Sequence, residues 1–434
     1  VIFDINVWVE KYGVCPFRQS KTYQAPDTIK HFHTINKQKT VNYDEKIREQ
    51  FFVYFAEYID QENVYPINYR IIGVDTVDPN EINVILLPGD DTQFAHELPG
   101  LVLSRTNILK FAKENNILIL ITWLYEYHIM NKNWCSKNQD KMLKDFEEIT
   151  KILPPNNFQF LINSYDENKT QHEEHLRPWI THINCFNKIS KFKEVLYDPY
   201  EKHTYKLIVP LGAIKNRWFR LDVLASLHKK NILWNDDVLY TSNAVDTNDV
   251  ITWFKETPWQ ENFPFKETHD IIIKNPEKFI RHKILGHDGI DISNISYNYL
   301  RNRLWYAIPP QFLDTKLLLV TESRPHAPSI TEKVYRPLAT GQPFVWMAHH
   351  NLKPFLESKG YKFYPWIDYS FDSIEDMRKR FLAVMEEVER LYHLPDLAEK
   401  IIEYDNINMH NAYMYRINEK DISDMYNLIM RNVK

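Results

Sequence analysis

The sequence predicts an α/β protein: two Rossmann-like domains in tandem, each built on an open, mostly parallel sheet, followed by a helical C-terminal tail. Three observations predict it. At 434 residues the chain is too long for one hydrophobic core and suits two domains of about 200 residues each. Short apolar or β-branched runs alternate with helix-like segments, the order that builds open α/β sheets. That alternation breaks at a polar, aromatic-rich stretch near 198–205 and then starts again.

In the first half, strands are expected at "YRIIGV" (69–74), "INVILLP" (82–88), "ILILITWL" (117–124) and "FQFLIN" (158–163), bounded by polar, Pro or Gly residues. Helices are expected at "DEKIREQFFVYFAEYIDQ" (44–61) and "KDFEEITKIL" (144–153). After the boundary "DPYEKHTY" (198–205) come the strand "YKLIVPLG" (205–212) and the helix "NRWFRLDVLASLHKKNI" (216–232). In that helix Leu221, Leu224 and Leu227 recur at helical spacing. "DVLYTS" (237–242), a long polar insertion to near residue 300, "KLLLVTES" (316–323), "PFVWMA" (343–348) and "YKFYPWID" (361–368) continue the strand pattern. The tail opens on the helical "SIEDMRKRFLAVMEEVERLYHL" (373–394). The expected domains are therefore 1–204 and 205–372. The tail, 373–434, is expected to pack on the second, with a return to the first left open.

Composition narrows the function classes. Hydrophobic residues make 44% and charged residues 26%, ordinary for a soluble globular protein. Only 9 glycines occur, which argues against flexible linkers and several glycine-rich phosphate loops. A net charge of −5 offers no general basic surface for nucleic acid or an anionic membrane. Cys15, Cys135 and Cys185 form no C-x-x-C pair, which suits a reducing, cytoplasmic setting and excludes a cysteine zinc site. The longest apolar run, "ILILITWLY" (117–125), is shorter than the roughly 18 residues of a membrane span. The first residue is Val, and no signal peptide is expected there. The Asn, Ile and Lys bias matches an AT-rich genome.

The stretch "SITEKVYRPLATGQPFVWMA" (329–348) carries the chemistry. Strand "KLLLVTES" ends at Glu322 and Ser323, a loop follows, and Ser329 or Thr331 caps a helix that Gly341 stops. Open α/β sheets bind ligands at the carboxyl ends of their strands. Free amides and the positive end of the helix dipole favour a phosphate there. Lys333 can neutralise it, and the Glu332 carboxylate can accept from vicinal ribose hydroxyls. A nucleoside diphosphate satisfies both. An alternative needs no ligand: Glu332 is a helix-start acid pairing with Arg336 at i,i+4, and Lys333 is solvated. Pro337, well inside the helix, is expected to kink the chain or to limit the first turn.

"VTESRPHAPSITEKVYRPLATGQPFVWM" resembles the donor-binding segment of the α-1,3-fucosyltransferase family, and still more its viral and bacterial relatives. Those proteins carry E-N-S or E-T-S, a loop, T-E-K, and a helix ending in G-x-P-F or G-x-V-P. Here the pieces are Glu322-Ser323, the loop 324–330, Thr331-Glu332-Lys333 and Gly341-Gln342-Pro343-Phe344. "NLKPFLESKGYKFYPWIDYSFDSIEDMRKR" (351–380) is similar to the segment that follows in those relatives. The match is specific over about 60 residues, weak over 205–320 and barely traceable earlier. The resemblance implies a GT-B arrangement, two Rossmann-like domains facing a cleft, with the donor side in the second. It implies that Glu332 binds the donor ribose, Lys333 the diphosphate, and an arginine of "KNRWFR", Arg217 or Arg220, a phosphate. Arg217 is nearer the strand end; both can instead be surface arginines. Two departures put the donor's base and sugar in doubt: no asparagine follows Glu322, and Ser329-Ile330 replaces the tyrosine usual before T-E-K.

An inverting transfer needs a base for the attacking hydroxyl. Glu126 lies directly beyond the strand 117–124, where the family carries a glutamate followed by Ser-Pro. Here Tyr127-His128 follows instead, and His128 is a rival base. Asp90 and Asp91 after a strand fit a turn or a divalent-metal site, and "HDGIDIS" (287–293) is similarly ambiguous. The histidines of "HFHT" (31–34) and "MAHHN" (347–351) lack zinc spacing. No metal and no cofactor are expected. The expected function is inverting, metal-independent transfer of a sugar from a nucleoside-diphosphate donor, GDP-sugar favoured over UDP-sugar, to a glycan acceptor. The alternatives are a non-catalytic carbohydrate- or protein-binding protein of the same fold, and a transferase acting on DNA, which the net charge disfavours.

Overall fold

Parallel strand pairing organises the structure, a computed structural model. It describes residues 2–3, 71–72, 83–89, 106–114, 117–123, 138–162, 164–165, 174–182, 196–211, 219–241, 248, 251–252, 266–279, 308, 310–322, 325 and 328–417. Among the described residues ten strands form two sheets, and all their pairings are parallel. The chain clusters into two compact units, Val1–Ile189 with Glu419–Lys434, and Ser190–Asn418.

The first sheet joins β1 (Ile2–Phe3), β2 (Ile71–Ile72), β3 (Asn83–Gly89), β4 (Ile117–Trp123), β5 (Phe158–Ile162) and β6 (Ile180–His182) in the order β2-β1-β3-β4-β5-β6. Consecutive buried residues Ile117, Leu118 and Ile119 show why β4 reads as a continuous apolar run: both faces of the sheet are covered. The helix Thr106–Glu114 turns Leu109 and Ala112 inward, and the helix Asn138–Ile152 inserts Phe146 and Ile149. Phe146 packs 5.6 Å from Phe158 and 5.8 Å from Phe160, two residues on one face of β5. Between them Gln159 is buried on the other face, donating to Pro155 O and Pro178 O and accepting from Thr181. The four expected strands of this half appear as β2 to β5. The helix expected over 44–61 lies outside the described residues.

The second sheet joins β7 (Tyr205–Pro210), β8 (Val238–Thr241), β9 (Thr315–Thr321) and β10 (Phe344–Met347) in the order β10-β9-β7-β8. After β7 the chain moves to β8 on one side, and later strands build outward on the other through β9. The strand order reverses between β7 and β9, and such a reversal opens a crevice at the carboxyl ends. The expected strand over 361–368 does not form. Asn411 takes the place of a neighbouring strand for Lys362, accepting from its N–H and donating to its C=O, both at 2.8 Å. Tyr361, Tyr364 and Ile367 turn inward at a spacing of three, not two.

The helices Met377–Tyr392, Leu397–Glu403 and Asp405–Ile417 form the described part of the tail and belong to the second unit. Asp376 caps the first, accepting from Lys379 N at 2.8 Å. Lys230 pairs with Glu389, and the Tyr392 hydroxyl, accepting from Asn235, donates to Asp237 at 2.6 Å. Leu397 and Ile401 bury Tyr197, whose N–H donates to Thr340 O at 2.9 Å. A return of the tail to the first domain would involve 418–434, outside the described residues. No helix among the described residues is long and apolar enough to cross a membrane.

Tyr197 also stacks on His203, ring centroids 4.8 Å apart at 14°. Burial holds the His203 imidazole below its ordinary 6.5; Asp314 and Glu201 pull it upward, and Lys316 pushes it down. The folded protein therefore binds fewer protons here than the unfolded chain. This contribution to stability is complete above pH 6.5 and is lost as pH falls below it. Melting curves should show a His203-dependent decline there that His203→Gln lacks; an identical decline in that variant would remove His203 from the account.

Candidate functional site

Strand β7 ends at Pro210, and the next described helix is Phe219–Lys229. Arg220, in that helix's first turn, is 1% exposed and donates from Nη2 to Thr321 O, the last residue of β9, at 3.3 Å. One buried guanidinium thus ties the element after β7 to the end of β9, across the point where the strand order reverses. Phe219 lies under the same group, 5.8 Å from ring centre to Cζ.

From β9 the chain passes Glu322 and returns at Thr331, the N-cap of the helix Glu332–Thr340. Thr331 is extended (φ −119°, ψ −177°), and its Oγ accepts from Lys333 N at 3.5 Å and from Lys333 Nζ at 3.2 Å. Its own N–H and O–H donate to the two oxygens of Glu322, at 2.9 and 2.6 Å. Glu322 is 1% exposed, and its N–H donates to Met347 O at the end of β10. A helix N-terminus with a lysine in its first turn, at the carboxyl end of a parallel sheet, can accept an anion through backbone amides, dipole and ammonium together.

At the far end of the helix Gly341 adopts φ 75°, and its N–H and that of Gln342 return to Leu338 O and Pro337 O. A Cβ there would collide with Asn408 O of the tail helix, so glycine is required both for the left-handed turn and for the close approach. Tyr364 donates to Asn408 Oδ1 and fixes the same junction. The helix runs through Pro337 to Thr340; Thr340 Oγ folds back on Arg336 O and Pro337 O. The proline cannot donate to Lys333 O one turn earlier. Arg336, the partner for Glu332 in the ligand-free alternative, lies over the ring of Phe312 at 4.9 Å.

Sequence reasoning missed a residue that shapes this end of the sheet. Arg380, in the tail helix, is 2% exposed and donates to four carbonyls: Ala348 (3.0 Å), Pro325 (2.8 Å), Ile374 (2.6 Å) and Glu375 (2.9 Å). It holds the loop after β9 and the turn after β10 together. Beside it, Asp372 accepts from Trp346 Nε1 and from the N–H groups of Leu352 and Lys353, while burial pushes its carboxyl above the usual range. His349 and His350 follow β10 and pack ring against ring at 4.1 Å.

Of the residues singled out from sequence, Arg220, Glu322, Thr331 and Lys333 are brought together at the reversal between β7 and β9. Glu332 is the first residue of the helix. Glu126, Arg217 and Ser323 lie outside the described residues, as do Asp90, Asp91, His128 and the "HFHT" and "HDGIDIS" segments. Among the described residues no group of three or more His, Cys, Asp or Glu side chains could hold a metal.

Fold and site together define a tandem Rossmann-like α/β protein with a capped helix N-terminus at the strand-order reversal of its second sheet. No protein-family model and no curated protein matches the chain. Among solved structures it is similar to an alpha,alpha-trehalose-phosphate synthase (UDP-forming) from Burkholderia vietnamiensis, 10% identical over 80% of this chain and 78% of that one, TM-score 0.37. It is similar to a putative UDP-N-acetylglucosamine 2-epimerase from Listeria monocytogenes, 9% identical over 90% and 82%, TM-score 0.33. A UDP co-structure of S. aureus MnaA matches at 10% identity over 94% and 96%, TM-score 0.30.

Proposed function

We propose that this protein is a glycosyltransferase of the two-Rossmann, GT-B type. It moves a sugar from a nucleoside-diphosphate donor to a hydroxyl of a glycan acceptor, by inverting displacement without a metal. The observation that carries the proposal is the meeting of Lys333, the Thr331-capped helix N-terminus and the Arg220-bearing helix at the strand-order reversal of the second sheet. Lys333 and the first-turn amides take the diphosphate and stabilise the charge that develops on it as the sugar leaves. Glu332 takes the ribose hydroxyls, Arg217 supplies a second cation, and Thr331 and Ser323 border the phosphates. Arg220 and Glu322 build the site from beneath. Glu126, beyond β4 of the first unit, removes the proton of the attacking hydroxyl.

The test is a thermal-shift panel with GDP, UDP, CDP and ADP, with and without magnesium, on the wild type and on Glu126→Gln. A ligand at a hundred times its dissociation constant stabilises the fold by about 2.7 kcal/mol. One nucleotide should shift both proteins equally, indifferent to magnesium, and Glu126→Gln should bind donor yet transfer nothing. A GDP shift supports a fucose-like donor, and a UDP shift keeps the class and changes the sugar. No shift with any nucleotide would overturn the proposal in favour of a binding protein.

A further inference from the structure

The helix Glu332–Thr340 carries the candidate site at its first turn and is held at its last by distant parts of the chain. Its own C-terminal cap needs only the bonds from Gly341 N–H to Leu338 O and from Gln342 N–H to Pro337 O. The other attachments come from afar. Tyr197 N–H donates to Thr340 O at 2.9 Å. The Gln342 side chain donates to Phe312 O and, at 2.8 Å, to Thr315 O at the start of β9. The Tyr364 hydroxyl donates to Asn408 Oδ1 and lies 3.4 Å from Gly341 O. Asn408 in turn brings its backbone against Gly341, closer than any Cβ would allow. Tyr197, Gln342, Tyr364 and Asn408 are all buried. These contacts fix where the helix lies rather than where it ends. With nine residues the helix is about 13 Å long, so a tilt of about 5° at this seat moves the opposite cap by about 1 Å. Displacements of that size are enough to spoil a binding geometry.

We propose that Gly341 is a positioning residue for nucleotide binding. At its seat on Asn408 the tail helix Asp405–Ile417 sets the tilt of the helix Glu332–Thr340, and so the place of the Thr331–Lys333 cap. This rests on the donor-site reading above. Gly341 touches no substrate; it acts by admitting a close approach that every side chain would block. Coupling between two sites is reciprocal, so a nucleotide held at the cap must in turn steady the seat. The coupling has to cross Pro337, which cannot donate to Lys333 O and so interrupts the helix between its two ends.

The experiment measures affinity for UDP, GDP and inorganic pyrophosphate in wild type, Gly341→Ala and Tyr392→Phe, each melted to verify folding. Gly341→Ala should bind about fivefold to tenfold more weakly. Tyr392→Phe loses only the hydroxyl that meets Asn235 and Asp237, far from the seat in the fold; it should melt lower and keep wild-type affinity. A purely structural glycine would likewise lower the melting temperature alone. Amide hydrogen exchange of the wild type supplies the reciprocal readout, taken where exchange is insensitive to low urea and so proceeds by local opening. Bound nucleotide should slow it about fivefold at Tyr197 and within Asp405–Ile417. A folded Gly341→Ala with wild-type affinity overturns the inference and leaves the donor site standing. If Gly341→Ala does not fold, the exchange pattern decides: slowing that stops at Pro337 overturns it. Wild type that binds none of the three probes removes the donor site itself, and this inference with it.

Discussion

Lys333→Ala should lower nucleoside-diphosphate affinity by roughly 50- to 100-fold while leaving the fold intact. In the proposed donor site the ammonium is the charged partner of the diphosphate, and a hydrogen bond to a charged group contributes about 1.5–3 kcal/mol. The helix loses little, because the cap uses the backbone N–H of Lys333, which alanine retains, and alanine is the best helix former. The lysine is only partly buried, so its removal should change unfolding free energy by no more than about 0.5 kcal/mol. Titration calorimetry with the nucleotide picked out by thermal shift checks the first number, and urea unfolding the second. Wild-type affinity in a folded Lys333→Ala protein would sink the site assignment.

Arg380→Met should be among the most destabilising single changes available, at about 3–5 kcal/mol. Methionine fills a similar volume but donates nothing, so the carbonyls of Ala348, Pro325, Ile374 and Glu375 lose a charged donor at once. Against a usual total stability of about 5–15 kcal/mol this is a large share. Lysine should recover little, since one ammonium cannot span the positions that a guanidinium fork reaches. The loops released are those after β9 and β10, so nucleotide affinity should fall as well. A urea midpoint within the error of wild type for Arg380→Met would show that those carbonyls find other partners.

The parts of this architecture legible in the sequence have local causes. β4 reads as a strand because every residue from Ile117 to Ile119 is buried and the run stops at the right length. The helix Glu332–Thr340 reads from Thr331 to Gly341 because cap and left-handed stop lie at its own two ends. What escaped has distant causes. Arg380 bonds Pro325 across 55 positions and Ala348 across 32, and no local pattern marks one arginine of "MRKR" as buried. Nor does spacing reveal that Asn411 imitates a neighbouring strand for Lys362, so aromatic alternation over 361–368 suggested a strand. Glu322 is intermediate: its position at a strand end was visible, but its partner is a residue nine further on across an irregular loop.

The tail also has a consequence in time. The ribosome delivers β10 well before the helix Asp405–Ile417, whose backbone seats against Gly341 at the end of the helix Glu332–Thr340. From Met347 to Ile417 the interval is 417 − 347 = 70 residues, roughly 4–14 s of synthesis at ordinary rates of about 5–20 residues per second. During that interval the sheet exists without the wedge that completes it, and the apolar flank around Leu338 and Tyr364 is left uncovered. A nascent chain stalled or cleaved in this window would carry every residue of the Thr331-Glu332-Lys333 cap and still lack the seat that sets it. Competence of the cap is thus acquired only once the helix Asp405–Ile417 has been made, and a stop ahead of that helix is as disabling as one near the start of the message.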